Sequence, residues 1–323
     1  MNNMWGDMAQ YGAIYWPWPI AVYLFLAGLS AGCTIVALLV KWNKHSDNTS
    51  SIWDAMVKAG AITAPVTIII GLLLLIFDLG KPLSFYWLLI SYNFGSVMSL
   101  GVLFLLVYTP LSVLFAFIIF ENSIEKSRTL SVFSFIPRII RSFASISKLV
   151  EYILLILAIC VGMYTGFLLS AISKIPLWNT PILPILFLVS GFSSGIAANI
   201  LIGMAFFKGS LNKDSIKYLL VLDLRAILFE LPLLLILFIG MNFQGGQSAV
   251  AASQALSDPY YGKLFWIVVV GIGLLTPIII AATALKNHAY KPGFIILNSV
   301  VVLIGVIALR YYIVYAGQLF TGV

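Results

Sequence analysis

The chain is a succession of long apolar runs separated by short polar connections. Eight runs, at about 19–40, 57–77, 95–120, 149–171, 182–207, 218–241, 264–285 and 294–316, can each cross roughly 30 Å of hydrocarbon at about 1.5 Å per residue. Lipid offers backbone groups no water to bond, so such runs predict helices rather than open strands. Residues 1–18 hold no Lys or Arg. The first run therefore lacks the positive lead of a cleavable signal peptide and is expected to stay as a span. Composition agrees: 62% of residues are hydrophobic and 9% charged, against about 45–50% apolar and about 25% charged in soluble domains. The expectation is an all-α integral membrane protein of eight transmembrane helices, with the lipid bilayer as its solvent.

Charge then changes meaning. A net charge of +7 would suggest nucleic acid for a soluble chain, but in a membrane protein it reports orientation, and no nucleic-acid partner is expected. Lys41, Lys44, Lys58, Lys126, Arg128, Arg138, Arg141, Lys148, Lys208, Lys213, Lys217, Lys286 and Lys291 flank or fill the odd-numbered connections. Only Lys81, Lys174 and Lys263 fall on the other side. This asymmetry predicts cytoplasmic odd connections and both termini outside. Tyr15, Trp16 and Trp18 mark the outer interface of the first span.

Span 1 reads Ala27-Gly28-Leu29-Ser30-Ala31-Gly32 and span 5 reads Ser190-Gly191-Phe192-Ser193-Ser194-Gly195. Both run in the same direction, as in a parallel repeat of four spans. Two four-helix bundles are expected, 1–171 and 172–323, each with one small-faced helix. Close helix packing by itself also accounts for these glycines.

Ionisable groups inside a span are costly and need a reason. Span 6 holds Asp223, Arg225 and Glu230, and span 8 holds Arg310. Asp223 and Glu230 are seven apart, so they share a helix face about 10 Å apart along the axis. Pro232 frees the carbonyl of Leu228 beside Glu230. Two stacked carboxyls ending near a kink read as steps of a proton path; structural carboxylates neutralised by arginine or by protonation are the alternative. Tyr23, Asp78, Tyr164 and Arg310, from four spans, fall at similar depth toward the outside. An apolar cavity with a few hydrogen-bonding groups there suits a quinone. Singly, each has a plainer reading as a belt tyrosine, an interfacial acid or a snorkelling arginine.

Both histidines, His45 and His288, fall in connections, so no axial ligand for a transmembrane haem is expected. Cys33 and Cys160 are single and mid-span. Neither a metal site nor an Fe–S ligand set is expected in this chain. Redox chemistry would rest on a quinone and a second polypeptide.

Several ordered motifs carry a resemblance: Trp18 with Tyr23-Leu-Phe-Leu-Ala-Gly28-Leu-Ser30-Ala-Gly32, Asp78-Leu-Gly-Lys-Pro82, Asn93-Phe-Gly-Ser96-Val-Met-Ser99-Leu-Gly101, Tyr164-Thr-Gly166-Phe-Leu-Leu-Ser170 and Leu186-Phe-Leu-Val-Ser190-Gly191. Together they resemble the NrfD/PsrC family, the membrane subunits of polysulfide reductase and its relatives. The resemblance covers nearly the whole chain, and Asp223, Glu230 and Arg310 favour its polysulfide-reductase branch. It implies a haem-free, quinol-oxidising subunit of the bacterial inner membrane with a quinone site near the outer, periplasmic face. It implies a four-cluster ferredoxin-like Fe–S partner and a molybdopterin catalytic subunit beyond it, with neither group in this chain. Tyr23, Asp78, Tyr164 and Arg310 would then lie at or near menaquinone, and Asp223 and Glu230 would conduct protons. Some members place a histidine in span 1, and this chain has none there. The competing readings are a secondary transporter and an anchor serving thiosulfate, tetrathionate or nitrite reduction.

Overall fold

The computed structural model describes residues 16–43, 51–79, 82–90, 92–126, 144–286 and 291–320. Expectations placed on Tyr15, Lys44, His45, Lys81, Arg128, Arg138, Arg141 and His288 lie outside the described residues. Within them the chain is all helical, with eight helices long and apolar enough to cross a membrane. They are α1 Trp18–Trp42, α2 Ile52–Phe77, α3 Val97–Ile119, α4 Ala144–Ser170, α5 Ile182–Phe207, α6 Lys213–Gln244, α7 Tyr261–Lys286 and α8 Pro292–Gly317. A short helix, Gly246–Ser257, joins α6 to α7.

α2, α4 and α6 each start about five residues before their apolar runs. The first turns of α2 and α6 are amphipathic: Ile52, Trp53, Ile216 and Leu219 are buried together, while Asp54, Lys58, Lys213 and Lys217 are exposed. Hydropathy locates the membrane; the helix continues past it wherever one face still has a partner. Asn212 caps α6 by accepting from the Ser215 N–H at 2.8 Å.

α1 and α5 are the most deeply buried helices. Their small-residue motifs meet each other. A Cβ at Gly32 would overlap the Gly191 carbonyl, and one at Gly195 would overlap the Gly32 backbone. Glycine is required at this crossing because the two backbones themselves are in contact. Around this axis α1 packs on α2, α4 and α8, and α5 packs on α2, α4, α6 and α8. The Tyr108 hydroxyl stands 2.8 Å from both Ser30 Oγ and Thr34 Oγ1, joining α3 to α1, and Ser30 donates to the Ala64 carbonyl of α2. Asn199 of α5 donates to the Cys33 carbonyl of α1 at 3.0 Å. Buried polar side chains are thus spent on fixing helix neighbours.

The ends sort into two faces. On one, Gln318 after α8 exchanges bonds with the Trp16 backbone, and Trp178 before α5 donates to the Ile313 carbonyl at 2.7 Å. On the other, Lys41 and Trp42 at the end of α1 bond both carboxylate oxygens of Glu151 near the start of α4, at 2.5 and 2.7 Å. There too, Ser51 before α2 meets Ser210 before α6.

α7 is irregular. Leu264–Leu275 is wound as a π-helix, a wider coil with i→i+5 bonding. Its end is marked by the Thr276 N–H and hydroxyl both reaching the Gly271 carbonyl. Gly273 in this stretch lies against Gly305 of α8 so closely that a Cβ on either would strike the other's Cα.

Candidate functional site

A cavity of about 450 Å3 lies among α1, α2, α3 and α4 and the turn after α2. Leu72, Leu75, Ile76 and Leu79 form one wall and Met98, Val102, Leu105 and Leu106 another. Polar groups are few: Tyr23 of α1, Tyr164 of α4 and Thr109 of α3. Tyr23 is 1% exposed, and neither its hydroxyl nor that of Thr109 has a hydrogen-bond partner. An orphaned buried hydroxyl costs about 1–3 kcal/mol unless something bonds to it. Both residues line one apolar cavity, where a ligand with polar atoms of its own would satisfy their hydroxyls. Pro110 also lines the cavity and lacks the N–H that would bond the Leu106 carbonyl. Tyr164 reaches the cavity because its ring lies over Gly101 of α3, where any Cβ would overlap it.

Asp78 follows α2 directly and is exposed, next to Leu79 of the cavity wall. Partial loss of solvation raises its carboxyl above the ordinary 3.8.

Arg310 lies elsewhere. It is 1% exposed, stacks its guanidinium over the Phe187 ring at 3.7 Å, and donates to the Phe187 carbonyl and Ser190 Oγ at 2.9 and 2.7 Å. On α1 it faces Gly28, five residues and about 140° around the helix from Tyr23. It is therefore not among the side chains lining the cavity, and α1 stands between them. Its Nε and Nη1 are unpartnered, and it lies within electrostatic reach of Glu230.

Asp223 and Glu230 are both 3% exposed and on one face of α6. Asp223 accepts from Ser193 of α5 at 3.1 Å and from Asn298 of α8 at 2.5 Å. Glu230 sits in a recess with Ser193, Gly273 and Gly305, a recess too tight for a water molecule. Arg225 points away from both and is exposed. Among the described residues the ion pair is Lys41–Glu151, so Asp223 is held by neutral donors and Glu230 lies in the more distant field of Arg310.

The structure thus brings together Tyr23 and Tyr164 around one cavity, and Arg310, Glu230 and Asp223 along the seam of α5, α6 and α8. Sequence reasoning passed over Thr109, Ser190, Ser193 and Asn298. Ser190 and Ser193 lie inside the small-residue motif of α5, which offers packing as a sufficient explanation. Asn298 is an amide inside an apolar span, a sequence signal of the same kind as the buried acids.

The fold and cavity define a polytopic helical membrane protein with a largely apolar cavity and a separate line of buried ionisable groups. Residues 6–322 match the family described as Polysulphide reductase, NrfD. The protein belongs to this family of membrane subunits of oxidoreductase complexes. It is 50% identical to the C subunit of polysulfide reductase from Wolinella succinogenes over 322 residues, covering 100% of both proteins. It is 41% identical to the protein NrfD homolog of Haemophilus influenzae over 310 residues, 95% of each. It is 34% identical to protein NrfD of Escherichia coli over 314 residues, 96% of this protein and 97% of that one. With eight apolar helices and bacterial relatives throughout its length, it is a multi-pass bacterial membrane protein.

Proposed function

We propose that this protein is the quinol-oxidising membrane anchor of a molybdopterin oxidoreductase of polysulfide-reductase type. One observation carries the reading: Tyr23 and Thr109, whose buried hydroxyls have no partner in the protein, both line an otherwise apolar cavity of about 450 Å3. The cavity suits menaquinone, whose ring oxygens need hydrogen-bond partners and whose tail needs apolar surroundings. A bound quinol supplies two electrons and two protons. Tyr23, Thr109 and Tyr164 orient its ring oxygens, the leucines and Met98 exclude water, and Asp78 at the adjoining turn takes up a released proton. Electrons leave to a four-cluster ferredoxin-like Fe–S subunit and then to a molybdopterin subunit, neither group being held by this polypeptide.

In this reading α1–α4 form the quinone bundle and α5–α8 the proton bundle. The face bearing Lys41, Lys58, Lys208 and Lys213 is cytoplasmic, which puts both termini in the periplasm. Asp223 and Glu230 hold and pass protons along the seam. Arg310 serves them from behind the cavity, its charge acting on Glu230 at a distance. Water must enter the tight recess at Glu230 for a proton to pass, so transfer there follows a loosening of the Gly273–Gly305 contact.

The test is quinol oxidation by the assembled complex, with quinone-analogue affinity measured alongside. Tyr23→Phe together with Thr109→Val lowers turnover and weakens binding. Undiminished turnover with unchanged analogue affinity would contradict the site. Co-purification of a stable Fe–S partner separates an anchor from a transporter, which works alone.

A further inference from the structure

α6 has a second working face, opposite its buried acids. Asp214, Lys217, Tyr218, Val221, Leu222 and Arg225 recur every three or four residues and line a surface groove of about 340 Å3. Lys217, Tyr218 and Arg225 are exposed, whereas Asp223 in the same turn is buried. Lys217 and Arg225 are eight residues apart, about 12 Å along the axis. Both carry flexible stems long enough to converge on one anion between them. Neither has a carboxylate at ion-pair distance among the described residues. Beyond Arg225 the same face continues as Leu228, Phe229, Leu235, Ile236 and Ile239, all exposed. Tyr218 packs edge-on against Trp53 of α2 at 5.5 Å, so the groove wall is braced by a second helix.

The order of chemistry along this stripe is two cations, then a continuous apolar track running into the membrane. That is the complement of a phospholipid with an anionic headgroup. A snorkelling arginine alone explains neither the groove nor the second cation at its far end. We propose that this face of α6 binds one anionic phospholipid, with its phosphate between Lys217 and Arg225 and its acyl chains along Leu228 to Ile239. Asp214 at the rim opposes the headgroup charge and weakens the site.

The experiment is native mass spectrometry of the purified full-length protein in detergent, with equal amounts of phosphatidylglycerol and phosphatidylethanolamine. The wild type is expected to retain phosphatidylglycerol preferentially. Lys217→Gln with Arg225→Gln should cut that preference about tenfold or more, since each basic group near a lipid surface contributes to anion attraction. Lys217→Arg with Arg225→Lys should keep it, and Asp214→Asn should strengthen it. Thermal unfolding of each variant shows that the fold is intact. Equal retention of both lipids by the wild type, or an unchanged preference in the double glutamine variant, overturns the proposal. Displacement by inorganic phosphate would also overturn it, reducing the groove to a simple anion site.

Discussion

Tyr23 shows how far a single side chain's surroundings can depart from what its type announces. A tyrosine near the start of a span is usually a belt residue, with its hydroxyl in the interface. Here the side chain is 1% exposed and its hydroxyl has no partner inside the protein. In the proposed quinone site, Tyr23→Phe would remove one hydrogen bond to a ring oxygen, worth about 0.5–1.5 kcal/mol. Quinone-analogue affinity should therefore fall about two- to tenfold while thermal stability holds or rises, because an orphaned hydroxyl has been removed. An unchanged affinity, read by equilibrium titration, would show that the hydroxyl faces no ligand. Tyr23 and Tyr164 can be singled out from sequence because depth along a helix is countable from the span boundaries. Thr109 cannot be, since its place on the same cavity comes from helix packing. For Arg310, depth follows from its position in the span. Its azimuth, toward Phe187 and Ser190 and away from the cavity lining, is set by packing against α5 and is not countable.

At the scale of elements, eight spans are legible because hydropathy alone decides which segments enter lipid. The amphipathic extensions of α2 and α6 are not, since Asp54, Lys58 and Lys217 interrupt the apolar run without interrupting the helix. The π-helical turns of α7 leave no composition signal; they accompany the close Gly273–Gly305 approach. The Gly28–Gly32 and Gly191–Gly195 segments read as two small faces, and the structure puts them against each other. Gly32→Val should abolish the folded protein. Its Cβ would enter the Gly191 backbone, which cannot move aside like a side chain, so the cost exceeds the about 1–3 kcal/mol of ordinary overpacking. Gly240 on α6 has nothing within 4 Å of a would-be Cβ. Gly240→Ala should instead stabilise, by about 0.5–1 kcal/mol from helix entropy. Thermal unfolding of both variants in detergent checks the contrast; a tolerated Gly32→Val would mean that α1 and α5 do not cross where described.

At the scale of the whole molecule, the cavity and the buried acids lie on opposite sides of α1. If the proposed function holds, ligand binding and proton movement should accordingly be separable by mutation. Glu230→Gln should depress proton uptake or release in proteoliposomes far more than it weakens quinone-analogue binding, because Glu230 faces the α7–α8 crossing and not the cavity. Equal losses in both would mean that the two sites act as one. Val102 offers the converse case. It lines the cavity wall and belongs to no buried ionisable cluster. The most direct test of the central claim is equilibrium binding of a short-chain menaquinone analogue to purified wild-type protein and to Val102→Trp, whose indole would occupy the cavity. Saturable binding to the wild type, lost in Val102→Trp with the unfolding temperature retained, is the expected result. Binding to Val102→Trp as tight as to the wild type would contradict the placement of the quinone site.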